Sequence, residues 1–106
     1  MTWVDVCSTD DLLPERGACV LVGGRQVAVF VVGGELYAVG NRDPFSGANV
    51  MSRGIVGSKG EIPKVASPMY KQSFDLRTGE CLDDPAVALP TFPVRTTAGR
   101  IEIANP

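Results

Sequence analysis

The chain has 106 residues, 44% hydrophobic and 21% charged, with a formal net charge of -2. That length closes one small hydrophobic core, so a single domain over residues 1–106 is expected. The weak negative charge, without any lysine or arginine cluster, leaves no footprint for a phosphate backbone and excludes nucleic acid as a partner.

The start, Met1 to Asp5, has no basic segment leading into a long apolar run. The longest apolar stretch, Val27 to Val32, is far too short to cross a bilayer, which predicts a cytoplasmic chain that makes no use of a membrane. Trp3-Val4-Asp5-Val6 alternates as a strand does. Ser8 then offers a cap to Thr9-Asp10-Asp11-Leu12-Leu13, a helical turn or two before Pro14. From Ala18 the pattern is β, with apolar runs at Cys19–Val22, Gln26–Val32 and Glu35–Val39 separated by Gly23-Gly24 and Gly33-Gly34. Paired glycines between β-branched runs signal tight hairpins, so these runs predict a three-stranded meander. Its middle strand is apolar almost throughout, the mark of burial on both faces.

Between Gly40 and Gly60 the periodicity fails, and a long loop is expected, interrupted by a possible short strand at Arg53–Gly57. Short strands follow at Lys64–Ala66 and Ser73–Asp75. The turn Arg77-Thr78-Gly79-Glu80 is read as structural, with Gly79 in its left-handed position and Thr78 bonding local backbone. Phe92–Thr96 is expected to pair with Arg100–Ile103 across Ala98-Gly99. The 12 glycines and 8 prolines suit an all-β chain with many turns.

Candidate chemistry is sparse. With no histidine in the chain, the base that most hydrolytic triads use is missing. Cys7, Cys19 and Cys81 are odd in number and widely spaced, which fits neither a disulfide framework nor a zinc or cluster site. Reduced thiols buried in apolar strands are expected.

Two stretches carry a resemblance. Ser67-Pro68-Met69-Tyr70-Lys71-Gln72-Ser73-Phe74-Asp75-Leu76-Arg77-Thr78-Gly79-Glu80 resembles the second ligand loop of a Rieske iron–sulfur domain, a Cys-Pro-x-His pattern followed by a strand and an Arg-Thr-Gly turn. Asn41-Arg42-Asp43 stands where the family has Cys-x-His. By this resemblance Asn41, Asp43, Ser67 and Tyr70 are the four vacated ligand positions. A Rieske centre needs thiolates on one iron and two imidazoles on the other, and an amide, one carboxylate, a hydroxyl and a phenol do not supply them. Positions 44–66, 23 residues, separate Asp43 from Ser67, longer than expected between the ligand loops of a simple Rieske ferredoxin.

The layout from about Trp3 to Ile103 is similar to that of the Rieske superfamily. Asn41–Ala48, Ser52–Gly57 and Lys64–Gln72 select the branch of small subunits of assimilatory NAD(P)H-dependent nitrite reductase, which keep the fold without the cluster. The resemblance implies an all-β, Rieske-like small sandwich, with a short N-terminal helical turn and long loops facing each other at the former cluster tip. It further implies a non-catalytic subunit that binds no cofactor or metal. The partner would be a large subunit carrying siroheme, FAD and an iron–sulfur cluster, which reduces nitrite to ammonium with electrons from NAD(P)H.

Within that frame Tyr70 is expected to fill the space left by the metal, because an unfilled cavity is costly; the alternative is a contact with the partner, with Met69 beside it. Arg42, Arg53 and Lys71 are either a solvated face or partner contacts. Phe45, Met51 and Ile55 either form the apolar centre of a docking patch or fold inward and close the long loop. Asp43 either caps a turn or holds a cation. A stand-alone protein-binding or regulatory module on the same fold is the alternative function; a dioxygenase-type ferredoxin shares the fold but requires the missing ligands.

Overall fold

The structure, a computed structural model, describes residues 2–105. Among the described residues, nine strands form three antiparallel three-stranded sheets. The first has the order β1-β9-β8 and ties the two ends of the chain together, with β1 Thr2–Ser8, β8 Val94–Thr97 and β9 Arg100–Asn105. The second is the expected meander of β2 Gly17–Val22, β3 Arg25–Val32 and β4 Glu35–Gly40. The third is a meander of β5 Ile55–Lys59, β6 Ile62–Ala66 and β7 Ser73–Asp75. Ser8 caps a 3-10 turn at Thr9–Asp11, its hydroxyl accepting from the Asp10 N–H while the Asp11 carboxylate accepts from the Ser8 N–H.

The apolar run of β3 is explained by its place between two cores. Ala28 and Phe30 point into one, with Val39, Met51, Val65, Phe74, Leu76, Cys81 and Leu89. Val27 and Val29 point into the other, with Leu12, Val22, Ala38, Phe92, Ile101 and Ile103. Side chains alternate across a strand, so every residue from Val27 to Phe30 is enclosed whichever way it points. Val27, Val29 and Phe30 each contribute about 1.5–3 kcal/mol by leaving water. The first core joins the central meander to the β5-β6-β7 sheet and the second joins it to the sheet of chain ends. The central meander is thus the layer that holds the other two in place.

The stretch expected to be loop up to Gly60 is shorter than that. β5 occupies Ile55–Lys59 and pairs with all of β6, whose start includes Pro63. The proline sits there without breaking the ladder's other face, because its carbonyl accepts from the Leu76 N–H at 2.9 Å. Arg77-Thr78-Gly79 is a structural turn. The Arg77 guanidinium pairs with Asp75, and the Thr78 hydroxyl accepts from the Glu80 N–H. Gly79 has φ of +81°, and a Cβ there would run into the Leu89 carbonyl oxygen, so no other residue fits.

Cys81 is buried in the first core, as expected, but Cys19 is exposed on β2 and corrects that expectation. Its side chain lies on the outer side of an edge strand, where the Sγ meets the polar ends of Gln26 and Asn41. Cys7 is half-buried, and its thiol is pushed above the ordinary value by burial and then by the Asp11 carboxylate, which keeps it protonated.

Candidate functional site

The two loops that the sequence singled out meet at one end of the molecule. The first leaves β4 at Gly40, which is held by its N–H to the Pro90 carbonyl at 2.8 Å. It then folds on itself: the Asp43 N–H donates to Ala48, the Gly47 N–H to Asp43, and the Met51 N–H to Asn41. The second is a tight loop over Ser67–Gln72, closed by the Ser67 N–H to the Gln72 carbonyl and the Lys71 N–H to the Ser67 carbonyl, both at 2.9 Å. Lys71 takes a left-handed φ of +65° to make that turn.

The loops are fastened by a side-chain pair. The Ser67 hydroxyl donates to Asp43 Oδ2 at 2.6 Å, and both residues are buried. Asp43 Oδ1 accepts from the Phe45 N–H at 2.9 Å, and Ser67 Oγ accepts from the Met69 N–H at 3.2 Å. Burial alone would raise the Asp43 pKa; the Ser67 hydroxyl, the Phe45 N–H and the Ser46 donors outweigh it and hold the carboxyl below the ordinary aspartate value of 3.8. Asp43 is therefore an ionised, enclosed turn cap and loop fastener, and its oxygens are already engaged.

Asn41 is enclosed as well. Its amide N–H2 donates to Gln26 Oε1 at 3.0 Å and to Cys19 Sγ at 3.5 Å, while its oxygen accepts from the Ser52 N–H at 2.7 Å. The amide ties β2, β3 and the 3-10 turn at Met51–Arg53 into one unit. Tyr70 corrects the expectation that it fills the vacated space. It is 61% exposed and stands outside the tip, because the Asp43–Ser67 pair has already closed the gap between the loops.

Met51 is also corrected as a surface candidate, being fully buried in the first core beneath the loop. Among the other candidates, Arg42, Arg53, Ile55, Met69 and Lys71 are exposed. Phe45 is partly exposed, and its ring rests 6.2 Å from that of Phe74. Phe45 and Met69 are brought to the same place by the fastener, since each lends its N–H to one member of the Asp43–Ser67 pair. The two fastened loops thus carry exposed apolar side chains at Phe45, Met69 and Tyr70, an apolar knob, and basic ones at Arg42 and Lys71. Ile55 and Arg53 line a different cleft, beside Arg16 and Ser52.

Residues 2–104 match the family of Rieske-like [2Fe-2S] domains. The small subunit of nitrite reductase (NADH) from Escherichia coli K12 is 38% identical over 104 residues, covering 95% of each chain. The chain belongs to the Rieske-like family, in the branch of nitrite reductase small subunits. A Mycobacterium tuberculosis protein provisionally described as an NADH-dependent nitrite reductase small subunit has the same fold, with a TM-score of 0.94, 52% identity and coverage of 98% of this chain and 95% of that one. The large subunit of nitrite reductase [NAD(P)H] from Klebsiella oxytoca contains a region 38% identical to 97% of this chain, which is 11% of that longer protein.

The cluster that gives the Rieske-like family its description does not fit the residues at this tip. Its irons take thiolate and imidazole ligands. Here the amide of Asn41 is spent on neighbouring strands, Asp43 and Ser67 are bonded to each other, and the Tyr70 phenol points away. Among the described residues no three His, Cys, Asp or Glu side chains gather into a metal-holding group. In this member of the Rieske-like family the tip is a protein surface closed by the Asp43–Ser67 bond.

Proposed function

We propose that this chain works as the non-catalytic small subunit of an NAD(P)H-dependent nitrite reductase, binding the large subunit through the closed tip. The observation that carries this reading is the presence of the same domain inside the single polypeptide of the K. oxytoca large subunit. A domain joined covalently to a catalytic chain in one protein, and separate in another, is a domain whose job is done beside that chain; the linkage replaces an association with an effective concentration. In this reading siroheme, FAD, an iron–sulfur cluster and NAD(P)H all belong to the large subunit, and the complex works in the cytoplasm.

The knob supplies what a docking centre needs. Aromatic and methionine side chains contribute apolar area at the centre of protein interfaces, and arginine and lysine at the edge set orientation. Phe45, Met69, Tyr70, Arg42 and Lys71 are the contacts assigned to the large subunit, with Arg53 and Ile55 at the margin. Because the tip offers no electron carrier, the chain affects turnover through assembly or positioning of its partner.

Mixing the purified large subunit with and without this chain, and following nitrite-dependent NADH oxidation, tests the reading. A rise in rate that saturates with added chain is expected. Equal rates, with no complex on a sizing column, would overturn it.

A further inference from the structure

Beside the knob lies an open cleft of about 600 Å³, walled by the start of β3, the end of β4 and the Leu89–Pro90 segment. Its polar lining is Arg25, Gln26, Asn41, Arg42 and Asn49, and no carboxylate contributes to it. That is unusual for a chain whose net charge is -2. The arginines that are paired in this protein are Arg77, Arg95 and Arg100, each with an acid at 3.0 Å or less. Among the described residues neither Arg25 nor Arg42 has such a partner.

One cleft arginine is nonetheless held: the Arg25 guanidinium lies over the Phe92 ring, 5.0 Å from its centroid. The Arg42 guanidinium lies alongside Gly47, which has no side chain to crowd it. Stacking uses the face of a guanidinium and leaves its in-plane N–H donors free, which is the arrangement that receives a carboxylate side-on. Asn41, fixed by its own three bonds, and Pro90, fixed against Gly40, give the cleft a rigid floor.

We infer that this cleft receives an Asp- or Glu-bearing segment of the nitrite reductase large subunit, with Arg25 and Arg42 as its carboxylate receptors. This rests on the proposed subunit function and adds to it a second contact region of opposite character to the apolar knob. The occupant is a carboxylate-bearing protein segment, because the two exposed basic groups stand on separate elements, the start of β3 and the residue pair after β4, where one segment can meet both.

The experiment is a binding titration of purified large subunit against the full chain as wild type, Arg42→Glu, the double variant Arg25→Glu/Arg42→Glu, and Lys59→Glu, at low and at physiological salt. Lys59 is the last residue of β5, outside the cleft, and carries the same charge change as the single variant. Arg42→Glu disturbs no recorded side-chain bond, so it remains informative even where loss of the Arg25–Phe92 contact lowers the stability of the double variant. The expected result is weakening of about tenfold or more for the cleft variants, with a shallower salt dependence, and less than about twofold for Lys59→Glu. Wild-type binding with cleft variants that bind equally well would overturn the cleft assignment and leave the subunit function standing. No binding by the wild type would overturn both. Saturable binding of inorganic phosphate in the cleft, with large-subunit affinity unchanged by Arg42→Glu, would assign it to a free anion and also overturn the proposal.

Discussion

At the scale of single residues, the member of this tip with most at stake is Asp43. Its carboxylate accepts hydrogen bonds from the Ser67 hydroxyl and the Phe45 N–H inside a closed turn. Asp43→Ala strands both donors, and hydrogen bonds to a charged group are worth about 1.5–3 kcal/mol each way of counting; urea unfolding should show a loss in that range. Ser67→Ala should cost less, and the double variant less than the sum, because the two residues share one interaction. The pH dependence follows from the sign of the shift. The folded Asp43 pKa is below the ordinary value, so its contribution is fully present above the ordinary aspartate range and is lost as pH falls through the folded-state pKa. Stability of the wild type should therefore decline below pH 3.8, and Asp43→Asn should decline less steeply over the same acid titration. Asp75, held low first by its bond to Arg77, contributes a similar slope that both proteins share.

At the scale of elements, three hairpins use the same kind of turn with different residues. Gly23-Gly24 and Gly33-Gly34 both have positive φ at each position, as a two-residue hairpin turn requires. The β8–β9 turn does it with Ala98-Gly99, and Ala98 sits at φ +51°. A Cβ in that region is strained, so Ala98→Gly is expected to raise stability by about 0.5–1 kcal/mol, read as a higher urea midpoint at unchanged slope. These turns were legible in the sequence because glycine pairs between β-branched runs have few other uses. The β5-β6-β7 sheet was legible only in pieces. Pro63 and the glycines at 54, 57 and 60 read locally as loop, and what makes Ile55–Lys59 a strand is its partner across the sheet, not its own propensity. Tyr70 was misplaced, and Met51 left undecided, for a related reason. Whether an apolar residue in an irregular loop turns in or out depends on what fills the space beneath it, and here the Asp43–Ser67 bond and the 3-10 turn decide that. The Asp43–Ser67 bond spans 24 residues of sequence and is invisible to any local pattern.

At the scale of the whole molecule, β3 lines both cores, and this makes the three sheets interdependent. We propose that residues 1–106 unfold as one domain, and fluorescence of Trp3 and far-UV dichroism followed together through urea should give coincident single transitions. Two separated transitions would sink that view. The knob offers a further test at this scale. Met69→Glu and Tyr70→Ala change side chains that are 49% and 61% exposed, so the thermal midpoint should stay where it is, while affinity for the large subunit falls about tenfold or more. The resemblance of the two loops to a ligand-bearing family was readable from residues 41–43 and 67–80; the cleft around Arg25 was not, since it is assembled from three separate segments that only the fold brings together. The Asp43–Ser67 fastener also bears on how the cell makes this protein. A tip tied by two ribosomally encoded side chains is complete as soon as the chain folds, without iron delivery, sulfide donation or a scaffold protein. Folding of the tip is therefore uncoupled from metal supply, and in the proposed complex any delay under iron starvation would fall on the partner.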